Sequence, residues 1–133
     1  MDEPIVFIST HRIKEGTLDA FREYFRSGTP SIEADKPQTV AFIAFLDEGG
    51  TEVTIVHVFP DTHAMDRHFE GAQERSKDAY EFLEPKSFEV YGPASEEALG
   101  MLRQAAEMGV ALTVKPETLG GFLRLGSPAS DAE

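Results

Sequence analysis

The chain's four histidines hold most of the chemistry on offer, because it contains no cysteine, tryptophan or asparagine. Without cysteine there is no thiolate nucleophile, no disulfide and no cysteine-ligated zinc or iron–sulfur cluster. His68 stands out among the four. It falls with Met65, Phe69 and Ala72 on the apolar stripe expected of a second helix. An imidazole partly withdrawn from water at that place stays neutral near pH 7 and can take a proton from a phenol or an enol. The competing reading is a core histidine whose nitrogens bond a backbone carbonyl or a buried water. His57 shares a strand face with Val53, Ile55 and Phe59, and either lines the same interior or meets a second subunit. His11 ends the first strand and His63 begins the second helix, so both are expected in solvent.

Other constellations are thinner. His63 and His68 are five residues apart and so lie on different sides of a helix. No HExxH or comparable chelating spacing occurs, so no metal site is expected. Tyr24, Tyr80 and Tyr91 can each offer a hydroxyl to a ligand, although tyrosine at a helix–sheet boundary is ordinary. Arg12 and Arg22 can hold a carboxylate, but ion pairing with surface acids is the simpler fate. Gly49-Gly50 and Gly120-Gly121 belong to no phosphate-binding pattern.

The elements that must position these residues follow from apolar periodicity. Ile5–Ile13 reads as a strand apolar on both faces. Thr17 opens a helix whose buried stripe is Leu18, Phe21 and Phe25, with a break expected at Ser27-Gly28 and a stop at Pro37. Residues 38–46 and 52–59 form a hairpin across Asp47-Glu48-Gly49-Gly50. Asp61 or Thr62 caps the second helix, a further helical piece covers 77–83, and Pro85 precedes a strand over 86–91. The order is β-α-β-β-α-β, a ferredoxin-like α+β pattern, over residues 4–93 of a single domain. An extension over 94–125 adds a helix from Ser95 to Met108 and a strand over 110–114, and residues 126–133 read as a flexible tail.

Composition narrows the partners. The 133 residues carry 24 acids and 12 bases, a net charge of −12, which repels phosphate and argues against nucleic acid and anionic membrane. An acidic start and the lack of a long apolar run point to the cytoplasm.

Thr10-His11-Arg12-Ile13-Lys14-Glu15-Gly16 leading to a helix with Phe21 and Phe25 inside, the strand pair around Gly49-Gly50, the segment Ala64–Phe69 and the strand Phe88-Glu89-Val90-Tyr91-Gly92 resemble the antibiotic-biosynthesis-monooxygenase-like domains of the dimeric α/β-barrel superfamily. The resemblance implies two sheets packed face to face in a homodimer, and strands apolar on both faces suit that arrangement. It also implies a cavity between sheet and helices, with His68 as catalytic base at a position where such domains often carry a histidine. Phe21, Tyr24, Phe42, His57 and Phe69 are the residues expected to bind ligand there. The implied activity is a cofactor-independent monooxygenase, or a related isomerase, acting on a small apolar or aromatic substrate. The family's aromatic oxidisers use Trp and Asn, and its haem degraders use Asn, Trp and His. With neither Asn nor Trp in the chain, haem binding is not expected, and the alternative is a non-catalytic homodimer that binds a small ligand or serves an assembly.

Overall fold

The computed structural model describes residues 3–124, so the expected tail at 126–133 lies outside the described residues. Nine elements follow one another: β1 (Ile5–Ile13), α1 (Leu18–Asp35), β2 (Ala41–Leu46), β3 (Glu52–Phe59), α2 (Thr62–Phe69), α3 (Ala72–Ala79), β4 (Leu83–Tyr91), α4 (Glu96–Glu107) and β5 (Ala111–Lys115). They form one five-stranded sheet in the order β2-β3-β1-β4-β5. The first four strands pair antiparallel, and β5 joins β4 in parallel, which makes the sheet mixed. This is the expected ferredoxin-like α+β pattern with a helix and strand added at its end.

Strict alternation on β1 explains the layering. Ile5, Phe7, Ser9, His11 and Ile13 are buried against the helices, while Val6, Ile8 and Thr10 turn to the other face and stay half-buried. The covered face packs as two clusters. Phe59, Met65, Val90, Leu99 and Leu102 centre one beneath α2 and α4, and Ile13, Phe21, Val53 and Leu83 centre the other beneath α1. The opposite face presents Val6, Ile8, Val56 and Val58 half-buried, with Ile43 and Phe45 exposed.

Several local expectations are corrected. Helix α1 runs unbroken through Ser27, Gly28 and Pro30 to Asp35. The Ser27 and Thr29 hydroxyls donate back to the carbonyls of Glu23 and Phe25 at 2.8 and 2.7 Å, so residues that often end a helix are tied into this one. Arg26 and Pro30 are exposed, so water can take the carbonyl that proline's missing N–H leaves free. Strand β2 begins at Ala41 rather than residue 38, because the chain first turns through a Thr39 N–H bond to the Lys36 carbonyl. Ala72 is not on α2: Gly71, at φ +78°, ends that helix's turn, and Ala72 starts α3. The helix expected over 77–83 therefore spans 72–79, and Leu83 already belongs to β4. Pro85 lies inside β4, opposite His11 at an irregularity in the register, a place where a ladder tolerates proline.

The extension packs on the sheet. Ser95 caps α4 by accepting the Ala98 N–H at 3.1 Å, and Ala98, Leu99, Leu102 and Val110 enter the core. No helix among the described residues is long and apolar enough to cross a membrane.

Candidate functional site

The two core clusters do not close on each other. Between them lies a cavity of about 640 Å³ whose wall takes Phe7, Phe69 and Phe88 from one side and Phe21, Tyr24 and Phe25 from the other. His68, His57, Phe21, Tyr24, Phe42 and Phe69, the residues singled out in the sequence, all line it.

His68 and His57 meet there, with ring centroids 5.3 Å apart and planes nearly perpendicular. His57 projects from mid-β3, where pairing with β1 sets Phe7 opposite it. Its Nδ1 donates to the Phe7 carbonyl at 3.0 Å. A carbonyl only accepts, so the proton sits on Nδ1 and Nε2 keeps a lone pair. His68 comes from the last turn of α2, and its Nδ1 shares a 2.7 Å hydrogen bond with the Thr39 hydroxyl, contributed by the loop before β2. Phe42 packs against both rings, Phe7 against His57 and Phe59 against His68, at centroid distances of 5.0 to 5.6 Å.

Burial sets the electrostatics. It pushes His57 from 6.5 down to about 4, against the opposing pull of the Phe7 carbonyl. His68 falls further, to about 3, through burial and then through the charges of His57, Arg75 and Lys36. Both imidazoles are neutral at pH 7 and therefore able to accept a proton.

Two cations hold α2 in place, and neither was legible in the sequence as part of the site. Lys36 is 4% exposed and donates to the carbonyls of Arg67 and Glu70 at 2.9 and 3.1 Å. Arg75, on the cavity wall, donates to the carbonyls of His68 and Glu70 at 2.6 and 3.0 Å. Together they bond carbonyls at the end of α2, of which that of Arg67 also accepts the Glu70 N–H, and so fix the turn that carries His68. A lysine directly before Pro37 reads locally as a helix stop, and only the tertiary fold turns it inward.

His11 overturns its expectation. It is 7% exposed, lines the cavity, and has burial lowering it from 6.5 to about 4. The alternation that puts Phe7 and Ser9 inside carries one step further than the strand end suggested, because β4 continues alongside to Leu83. His63 is exposed, as expected. Arg12 and Arg22 form surface ion pairs with Glu84 and Asp19 at 3.4 and 3.2 Å and do not reach the cavity. Tyr91 bonds Glu89, whereas Tyr80 joins Tyr24 on the cavity wall. Among the described residues no group of three or more His, Asp or Glu side chains is placed to hold a metal ion.

No family model and no curated protein matches the sequence. Solved structures do match. MupZ from Pseudomonas fluorescens superposes with a TM-score of 0.66 at 20% identity, over 91% of each chain. SnoaB from Streptomyces nogalater, a cofactor-independent oxygenase, gives 0.56 at 14% identity over 71% of this chain and 96% of its own. A protein assigned to the antibiotic biosynthesis monooxygenases from Bacteroides thetaiotaomicron gives 0.53 at 15% identity, over 62% of this chain and 81% of its own. The βαββαβ portion is about two thirds of the sequence, so the likeness to MupZ takes in much of α4 and β5 as well. These likenesses concern architecture: the chain shares the α+β fold of MupZ, of SnoaB and of the Bacteroides protein.

Proposed function

We propose that the chain is a cofactor-independent monooxygenase, or a related isomerase, acting on a small apolar or aromatic phenol or enol in the cavity. The observation that carries this reading is the pair of neutral imidazoles, His57 and His68, set in an aromatic wall beside open space. His68 is the proposed base. At about 3 it is wholly unprotonated at pH 7, and a phenolate forming beside it raises the affinity of the ring for the transferred proton. Thr39 accepts from Nδ1 in this state and steadies the imidazolium. The electron-rich anion then reduces dioxygen, and the two join as a peroxide at a ring carbon that bears hydrogen. Loss of water leaves a carbonyl, so one oxygen atom enters the product, the other departs as water, and the substrate supplies the electrons. An isomerase would return the same proton to another carbon. Phe21, Tyr24, Phe42, His57 and Phe69 hold the substrate in this reading.

The half-open sheet face supports the further proposal that two copies pair through it. Val6, Ile8, Val56, Val58, Ile43 and Phe45 make a continuous apolar strip on neighbouring strands that no helix among the described residues covers.

A second reading, a non-catalytic ligand-binding homodimer, is favoured by the absence of the Trp and Asn that the family's oxidisers use. Oxygen uptake across a panel of naphthols and enolisable ketones, with melting curves taken in parallel, separates the two. The enzyme reading expects His68→Ala to lose about 10²–10⁴-fold in rate while still folding. A folded His68→Ala protein with full turnover would remove the assignment, and saturable binding without turnover by wild type would favour the second reading.

A further inference from the structure

His11 carries an observation that the proposed base chemistry leaves unused. Its Nδ1 is the one buried side-chain nitrogen or oxygen among the described residues that has no hydrogen-bond partner. Leaving such an atom unpaired is costly; Nδ1 itself is closed off, but the ring lines the cavity, so a turn of the imidazole brings that nitrogen to a partner the chain does not supply. The imidazole packs between Tyr80 and Phe88, with ring centroids 6.3 and 6.2 Å away. Ser9, 4% exposed, sits two residues back on the same strand face and also lines the cavity.

Position along the strand gives the distance. His57 lies opposite Phe7, and His11 is four residues further along β1, which at ~3.3 Å per residue separates the two ends of the cavity floor by roughly 13 Å. Apolar rings of Phe7 and Phe88 fill the wall between. A neutral imidazole brings one donor and one acceptor, and a turn about χ2 can present either edge to the cavity. The rings packed on His11, Tyr80 and Phe88, bear no charge, and an unpaired ion buried against them would be strongly disfavoured.

We propose that His11 and Ser9 form a second polar subsite, which takes an uncharged hydroxyl or carbonyl at the far end of an elongated aromatic ligand whose near end lies at His57 and His68. The proposal rests on the reading of the cavity as a ligand site and names the shape and polarity of what fits.

Biphenyl, 4-hydroxybiphenyl and 4,4′-dihydroxybiphenyl test it by calorimetry or fluorescence, since they differ only in the hydroxyls at their ends. The second hydroxyl should tighten binding about five- to tenfold in wild type. In His11→Phe that increment should vanish, the diphenol then binding no more tightly than 4-hydroxybiphenyl binds to the same variant. If His11→Phe does not fold, the His11 ring-nitrogen resonance in wild type supplies the same answer: it should move with the diphenol and stay with the monophenol. An increment that survives in His11→Phe, or no increment in wild type, overturns this subsite and leaves the cavity reading standing. Failure of all three compounds to bind would overturn both.

Discussion

Acid should unfold this protein well before its carboxylates are protonated, because three histidines are buried neutral. His11 and His57 titrate at about 4 and His68 at about 3 in the folded chain, against 6.5 for each when free. Between those limits the unfolded chain binds more protons, so stability falls as pH drops through 6.5 and continues to fall until the folded values are reached. Taken singly, each imidazole withdraws about 2 kcal/mol between pH 7.5 and pH 5, and the three together about 6 kcal/mol. A domain of this size has only about 5–15 kcal/mol in total, so the loss is large. Asp47 does not confound the window. Its hydrogen bond from Thr51 lowers it below the usual 3.8, so its contribution is lost only at more acid pH. Urea unfolding followed by circular dichroism at pH 7.5, 6.5, 5.5 and 5 measures the slope, and His68→Gln should flatten it by about a third. Superimposable curves at pH 7.5 and 5 would refute the argument, as would a His57 or His68 ring proton titrating near 6.5.

Two other outcomes are cheap to check. Light scattering at micromolar concentration should return about twice the 14.7 kDa of the chain, because the apolar strip on the open sheet face gains about 25 cal/mol per Å² on being covered; a monomer mass would contradict the pairing proposal. Gly92→Ala should lose at least about 2 kcal/mol and roughly 8 °C in melting temperature, since φ is +110° and an added Cβ would lie 2.6 Å from the Pro4 carbonyl oxygen. Gly100→Ala meets open space on α4 and should be neutral or gain up to about 1 kcal/mol; equal effects at the two glycines would show that the Gly92 contact is not close.

The sequence exposed those features that depend on near neighbours along the chain. Alternation marked β1 and β3, Asp61 or Thr62 was legible as the cap of α2, and the stripe through Met65 and His68 set that histidine inward. The misreadings share a cause. Ser27 and Gly28 carry local signals of a helix break, but packing of Phe21 and Phe25 on the sheet keeps α1 whole across them. His11 looked like a strand end because nothing local says that β4 extends past it. The same limit hid Lys36 and Arg75, whose partners at the end of α2 come from remote segments or from across a turn. Alternation continued from Ser9 by one more step of two residues places His11 inside, and that was the available signal.

The central claim is that the space around His57 and His68 receives an aromatic small molecule through its imidazoles. Titrating protein labelled in its histidine rings with 1-naphthol, at pH 7.5, tests it most directly. Saturable shifts of the His57 and His68 ring nitrogens, with exposed His63 unmoved, are the predicted result. Saturation with no change at either buried ring, or shifts confined to surface residues, would contradict it.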